Sequence, residues 1–200
     1  MNLLRFTVVA IALIAQAVHA EPPPTPPTAY RVVNVTNDSE RGWVPSVALE
    51  TRALATLQSY EAALNDGHAD KAYALMGDGL KRLLPYTEFA NQQTKFAGLA
   101  GARIGKRILA INWTKGSAIQ PKPGIYAAID VSYRYANIDR HCGFVILHAA
   151  SEGSPFTVER TEMAYLDNAT AAQITRDKSP GEVSRLWQQM TGYCSNYRPE

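Results

Sequence analysis

The sequence predicts an α+β fold, with three N-terminal helices packed on a four-stranded antiparallel sheet and a helical extension at the C-terminus. Three observations lead there. Between Val47 and Leu99 apolar residues recur at three- and four-residue steps, the period of a helix with one buried face. After Gly101 the period falls to two, the mark of strands that bury one face. Beyond Tyr165 the helical period returns. The chain has 200 residues, 46% of them hydrophobic, which is enough for one real core and too little for two full domains.

The elements follow in order. Residues 1–20, MNLLRFTVVAIALIAQAVHA, have the form of a secretory signal peptide. Arg5 is the only charge, the apolar stretch from Phe6 is too short to span a bilayer, and Val18-His19-Ala20 is a small-residue cleavage pattern before Glu21. Cleavage between Ala20 and Glu21 leaves a protein that is exported, periplasmic or secreted, with no membrane span. Residues 21–46 read as a spacer, because Pro22, Pro23, Pro24, Pro26 and Pro27 exclude helix and central strand and favour an extended chain. Within it, Tyr30 to Thr36 has the composition of a short strand lying against the domain.

The main domain is expected over residues 47–166. Ser46 caps a helix from Val47 in which Leu49, Ala53, Leu57, Tyr60 and Leu64 form the apolar face, Glu50, Arg52 and Glu61 lie elsewhere around the turn, and Asn65-Asp66-Gly67 ends it. A short helix covers Ala69 to Met76, a further helical turn Leu80 to Leu84, and a full helix Tyr86 to Leu99, burying Phe89, Phe96 and Leu99. Strands follow from Arg103 to Trp113, with Leu109, Ile111 and Trp113 on one side, and then from Ile125 to Tyr135, Cys142 to Ala149 and Pro155 to Tyr165. Short connections between the last three imply antiparallel pairing. The extension over residues 167–200 holds an Ala-rich helix and a second one opened by Ser179-Pro180-Gly181-Glu182, a capping box with Pro at the first helical position.

This order of elements resembles the cone of the nuclear transport factor 2-like, or ketosteroid-isomerase-like, superfamily. More narrowly, it is similar to the secreted bacterial family known as domain of unknown function 4019. The residues that carry the resemblance are Tyr60-Glu-Ala-Ala-Leu-Asn-Asp-Gly67 with Ala72-Tyr73, Phe89 to Phe96, Gly105-Lys-Arg107, Pro123-Gly-Ile-Tyr126 and Phe156-Thr-Val-Glu-Arg160. The resemblance implies a curved sheet closing on the helices, and homodimers formed through the sheet face. It brings no assigned activity.

Composition and motifs exclude several chemistries. Twenty Lys and Arg against 18 Asp and Glu give +2, with no basic block, so nucleic acid is not an expected partner. Glycine-rich phosphate loops, serine-nucleophile motifs and zinc-type His or Cys spacings are missing from the sequence, so neither a cofactor nor a metal is expected. Cys142 and Cys194, in an exported chain, are expected to pair and to pin the tail to the sheet, worth at most ~4 kcal/mol in a loop-entropy account. Tyr60, Tyr73, Trp113 and Tyr133 are candidate lining for a cone that binds a small apolar ligand, although residues at these periods also serve as plain core. Tyr126, Asp130 and Arg134 share the opposite face of their strand and are candidate interface residues, for a second copy or an envelope protein partner.

The function expected is thus that of a non-catalytic binding or accessory protein. The alternative is an isomerase or hydratase of the ketosteroid-isomerase-like type, with Tyr60, Tyr73 or Asp130 in proton transfer. A carboxylate and a phenol converging in an open cavity would favour that alternative.

Overall fold

The computed structural model describes residues 32–116 and 122–192. The leader with its Ala20–Glu21 junction, the proline cluster and Cys194 lie outside the described residues. The elements in chain order are β1 (Val32–Val35), α1 (Val47–Asn65), α2 (Ala69–Ala74), α3 (Asp78–Leu83), α4 (Tyr86–Ala100), β2 (Arg103–Lys115), β3 (Ile125–Tyr135), β4 (Ile138–Ala149), β5 (Thr157–Asp167), α5 (Asn168–Asp177) and α6 (Pro180–Gly192).

The class is α+β, but the four-stranded antiparallel cone behind three N-terminal helices is overturned. The sheet has five strands in the order β1-β2-β3-β4-β5, and β1 runs parallel to β2, with Val32 opposite Ala110 and Val35 opposite Trp113. Among the described residues a strand therefore precedes the first helix, four helices rather than three separate it from β2, and two more follow the sheet. The physical reason lies in the edge of β2, which would otherwise be a long row of unpaired backbone groups. The β-branched run Val32-Val33-Asn34-Val35 covers part of that edge. Asn34 Nδ2 donates to Asn112 Oδ1 at 3.0 Å, and the Thr36 and Thr114 hydroxyls meet at 2.7 Å. A parallel neighbour needs a long crossover, which α1 to α4 supply.

One face of the sheet packs on the helices. Ile111, Trp113, Ile129, Val131, Val145 and Leu147 are fully buried against Leu49 and Leu57 of α1 and Phe89 of α4. The start of α1 is fixed by Ser46, whose hydroxyl accepts from the Leu49 N–H at 3.1 Å. An irregularity in β2 between Ile108 and Ala110 breaks strict alternation. Ile108 stands opposite Val131 and Ile111 opposite Ile129, so both face the helices, and Leu109 is left out of that cluster. Lys106, opposite Tyr133, accordingly shares the helix-facing side.

The other face is partly covered by the chain's own tail. α5 packs on β4 and β5, burying Ala171, and the Arg140 guanidinium lies 4.0 Å from the ring centroid of Trp187 on α6. Ser179 and Glu182 form the expected reciprocal cap at the start of α6, with Ser179 N–H donating to Glu182 Oε2 at 3.0 Å. Cys142, on this side of β4, is fully buried and disulfide-bonded. No helix among the described residues is long and apolar enough to cross a membrane.

At Gly143 of β4 the β5 backbone leaves no room for a Cβ, which would run into the Glu162 carbonyl oxygen. Backbone cannot swing away as a flexible side chain can, so Gly143→Ala is expected to cost about 1–3 kcal/mol through overpacking. Urea unfolding of the variant checks this. A midpoint equal to the parent's would contradict so close an approach.

Candidate functional site

A cavity of about 600 Å³ lies where α1 and α4 diverge from the far ends of β2 to β5. Its walls are mixed: Leu64 of α1 and Phe96 of α4 give apolar surface, Asn65, Gln92 and Gln93 stand on the helix side, and the exposed Leu99, Met163 and Tyr165 line the way to solvent. Into it project Tyr60, Glu61, Tyr133, Tyr135 and His141.

Glu61 is present because α1 repeats every 3.6 residues, so that position 61 lies one turn beyond fully buried Leu57. Only 5% of Glu61 is exposed, and a carboxylate there must be compensated. Lys106 Nζ donates to its Oε2 at 2.5 Å, and the Tyr133 hydroxyl donates to its Oε1. The irregularity in β2 is what brings Lys106 to the correct side for this contact. Sequence reasoning placed Glu61 away from the apolar face and missed it, although its spacing of four from Leu57 was a usable signal.

His141 was also missed as a site residue. It is buried among aromatic rings, with centroid distances of 5.1 Å to Tyr133, 5.5 Å to Tyr135 and 6.1 Å to Phe96. Burial lowers its pKa to about 4, against a smaller opposing effect of its own backbone, so the ring is neutral at pH 7. Its Nδ1 is buried with no hydrogen-bond partner among the described residues. The phenols are displaced the other way. Burial pushes Tyr60 up to about 12, with its hydrogen bond to Thr161 acting in opposition. Tyr133 is raised well above its ordinary value by burial and then by the Glu61 charge beside it. Burial also raises Tyr135, while the Arg103 guanidinium pulls it down. The cavity therefore presents protonated phenols, a neutral imidazole and one paired carboxylate.

The structure separates the residues singled out from the sequence. Tyr60 and Tyr133 line the cavity, and Tyr73 and Trp113 do not. Tyr73 packs on Tyr86 and Phe89, at 5.3 and 5.6 Å between ring centroids. Trp113 is fully buried between Trp43 and Phe156. Tyr126, Asp130 and Arg134 lie on the side of β3 away from the core. There the Tyr126 hydroxyl donates to the Lys122 carbonyl at 2.5 Å, and the Arg134 guanidinium lies over Gly105. Asp130 is not among the residues that line the cavity, whereas Glu61 is. Of the expected disulfide, Cys142 is bonded, and Cys194 lies outside the described residues. Among the described residues no group of three or more His, Cys, Asp and Glu side chains could hold a metal ion.

No family model, no curated protein and no solved structure matches this chain, so the family resemblance has no support from comparison.

The buried His141 makes stability depend on pH with a definite sign. Its folded-state pKa near 4 lies below the unfolded value of 6.5, so the unfolded chain binds the proton first as pH falls. Stability is fully present above pH 6.5 and is lost down toward pH 4. Between pH 7 and 4.5 the unfolding free energy should drop by about 2 kcal/mol from this group. In His141→Asn the same span should be markedly flatter by urea titration, and an unchanged slope would refute the assignment.

Proposed function

We propose that this protein is an exported binding protein that holds a small, largely apolar molecule in the cavity between α1, α4 and the sheet. The observation that carries the reading is the cavity's make-up. It is a space of about 600 Å³, within the size range of small-molecule sites, in which apolar surface from Leu64, Phe96 and Leu99 adjoins polar side chains such as Glu61, Tyr133 and His141. A fully packed core would have excluded it. The disulfide at Cys142, together with the leader-like N-terminus, supports placement in an oxidising compartment outside the cytoplasm.

One specific observation favours a second reading, an isomerase or hydratase. The Tyr133 phenol and the Glu61 carboxylate meet inside a cavity open to solvent. Glu61 would accept a proton from carbon, and Tyr60, held protonated, would donate to the oxyanion that forms, while the single O–H of Tyr133 stays on Glu61.

The binding reading is tested with the neutral fluorophore N-phenylnaphthylamine, whose emission rises on entering an apolar site. Saturable binding is expected, and Ala97→Phe, which adds a ring to the α4 wall of the cavity, should weaken it by about tenfold or more. Thermal melting of the variant shows whether the fold survives. Absence of saturable binding, or binding indifferent to the filled cavity, would overturn the reading.

The proton-transfer reading has a separate check. Deuterium uptake from heavy water into an enolisable cyclic enone, followed by NMR, should be accelerated by the parent and fall by about a hundredfold or more in Glu61→Gln. Exchange no faster than in buffer alone would remove it.

A further inference from the structure

The charges lining the cavity do not cancel. Among the described residues Glu61 is its one lining carboxylate, and each of its oxygens already accepts a hydrogen bond, from Lys106 and from Tyr133. Two further cations line the same space, Arg103 of β2 and Lys95 of α4. Neither has a carboxylate partner among the described residues. Arg103 is half-buried, with its guanidinium carbon 5.6 Å from the Tyr133 ring centroid. Lys95 is exposed, on the same helix as Phe96 and Leu99. Positive charge at the opening thus sits directly beside apolar wall. Deeper in, the buried Nδ1 of His141 marks a polar position that no group among the described residues satisfies.

We propose that the molecule taken up is an amphipathic monocarboxylate, with its carboxylate at the mouth on Arg103 and Lys95 and its apolar body along Phe96 and Val145. This rests on the reading of the cavity as a small-molecule site and names the ligand's chemical class. A guanidinium fork matches a carboxylate through two parallel hydrogen bonds, and the partial burial of Arg103 shields that contact from solvent. A neutral ligand leaves the two cations unmatched, and a cationic one is repelled by them. A small anion without an apolar body matches Arg103 but leaves the apolar walls wet. His141, neutral at pH 7, can donate or accept one hydrogen bond according to its tautomer. A hydroxyl or keto oxygen on the body of the acid would meet it.

The test is competition against bound N-phenylnaphthylamine by three decyl compounds, decanoate, decanol and decyltrimethylammonium, each below its micelle concentration. Decanoate is expected to displace the fluorophore at a concentration about tenfold or more below that of either analogue. Arg103→Gln should raise the decanoate requirement by a similar factor, and by more than it changes the requirement for decanol or the affinity for the neutral fluorophore. Arg103→Lys, which keeps the charge and loses the fork, should fall between the parent and that variant, and Lys95→Gln should give a smaller loss. Equal displacement by the three compounds, or an Arg103→Gln variant that binds decanoate as the parent does, would overturn the anionic class and leave the cavity reading standing. Failure of the fluorophore to bind the parent at all would overturn both.

Discussion

The ion pair and hydrogen bond that satisfy Glu61 are the constraint on which the open end of this structure depends. A carboxylate one turn beyond Leu57, facing the sheet, would cost several kcal/mol if left alone in an apolar interior. Its two partners come from adjacent strands, Lys106 from β2 and Tyr133 from β3, which stand opposite each other in register. For Lys106 to share a side with Tyr133, β2 must shift its alternation before it reaches Ile111 and Trp113. The shift between Ile108 and Ala110 does this. One buried acid on a helix thereby fixes a helix face, a strand irregularity and the pairing of two strands.

The same arrangement divides the helix-facing side of the sheet into two unlike halves. Near Trp113 the rings of Trp43 and Phe156 pack edge-on against the indole, within the same buried cluster as Leu49 and Phe89. Toward Tyr133 and Tyr135 the layer consists of long polar-tipped side chains whose ends must be kept hydrogen-bonded or wet. Such residues hold the helices off the strands instead of interdigitating with them. The exposed Leu99, Met163 and Tyr165 mark where the packed layer ends and the opening begins.

Most of the elements were legible in the sequence because their periods are clean. The alternation of Ile125, Ala127, Ile129 and Val131, the cap at Ser46 and the box at Ser179 all correspond to described features. What escaped depended on contacts distant in the chain. Tyr30 to Thr36 reads as a strand, but its parallel place beside β2 is decided by which edge needs covering. Leu109, Ile111 and Trp113 look like one alternating face, and only pairing against Val131 and Ile129 shows that Leu109 is out of step. That single slip hid Lys106. Glu61 was missed for a different reason, since charge was allowed to outweigh helical position. Leu99 fits an apolar stripe yet stands at the cavity mouth, because no local pattern says where a core stops. His141 shares its parity with Val145, and its role emerged only once Phe96 and Tyr135 were seen to enclose it.

The geometry also weighs binding against proton transfer. A general base needs an oxygen free to reach its substrate's proton, within about 3 Å of it. Each oxygen of Glu61 already accepts one hydrogen bond, so a substrate's proton must reach a remaining lone pair crowded by Lys106 and Tyr133, or displace the Tyr133 hydroxyl. The cost of such a displacement is that of a buried hydrogen bond to a charged group, about 1.5–3 kcal/mol, which a substrate must recover through its own contacts. Simple binding carries no such requirement. A ligand can lie along Phe96 and Val145, meet His141 and leave the Glu61 pair intact. The pair then acts as the rigid floor that keeps the cavity open when it is empty, and that preformed shape lowers the ordering cost of taking a ligand in.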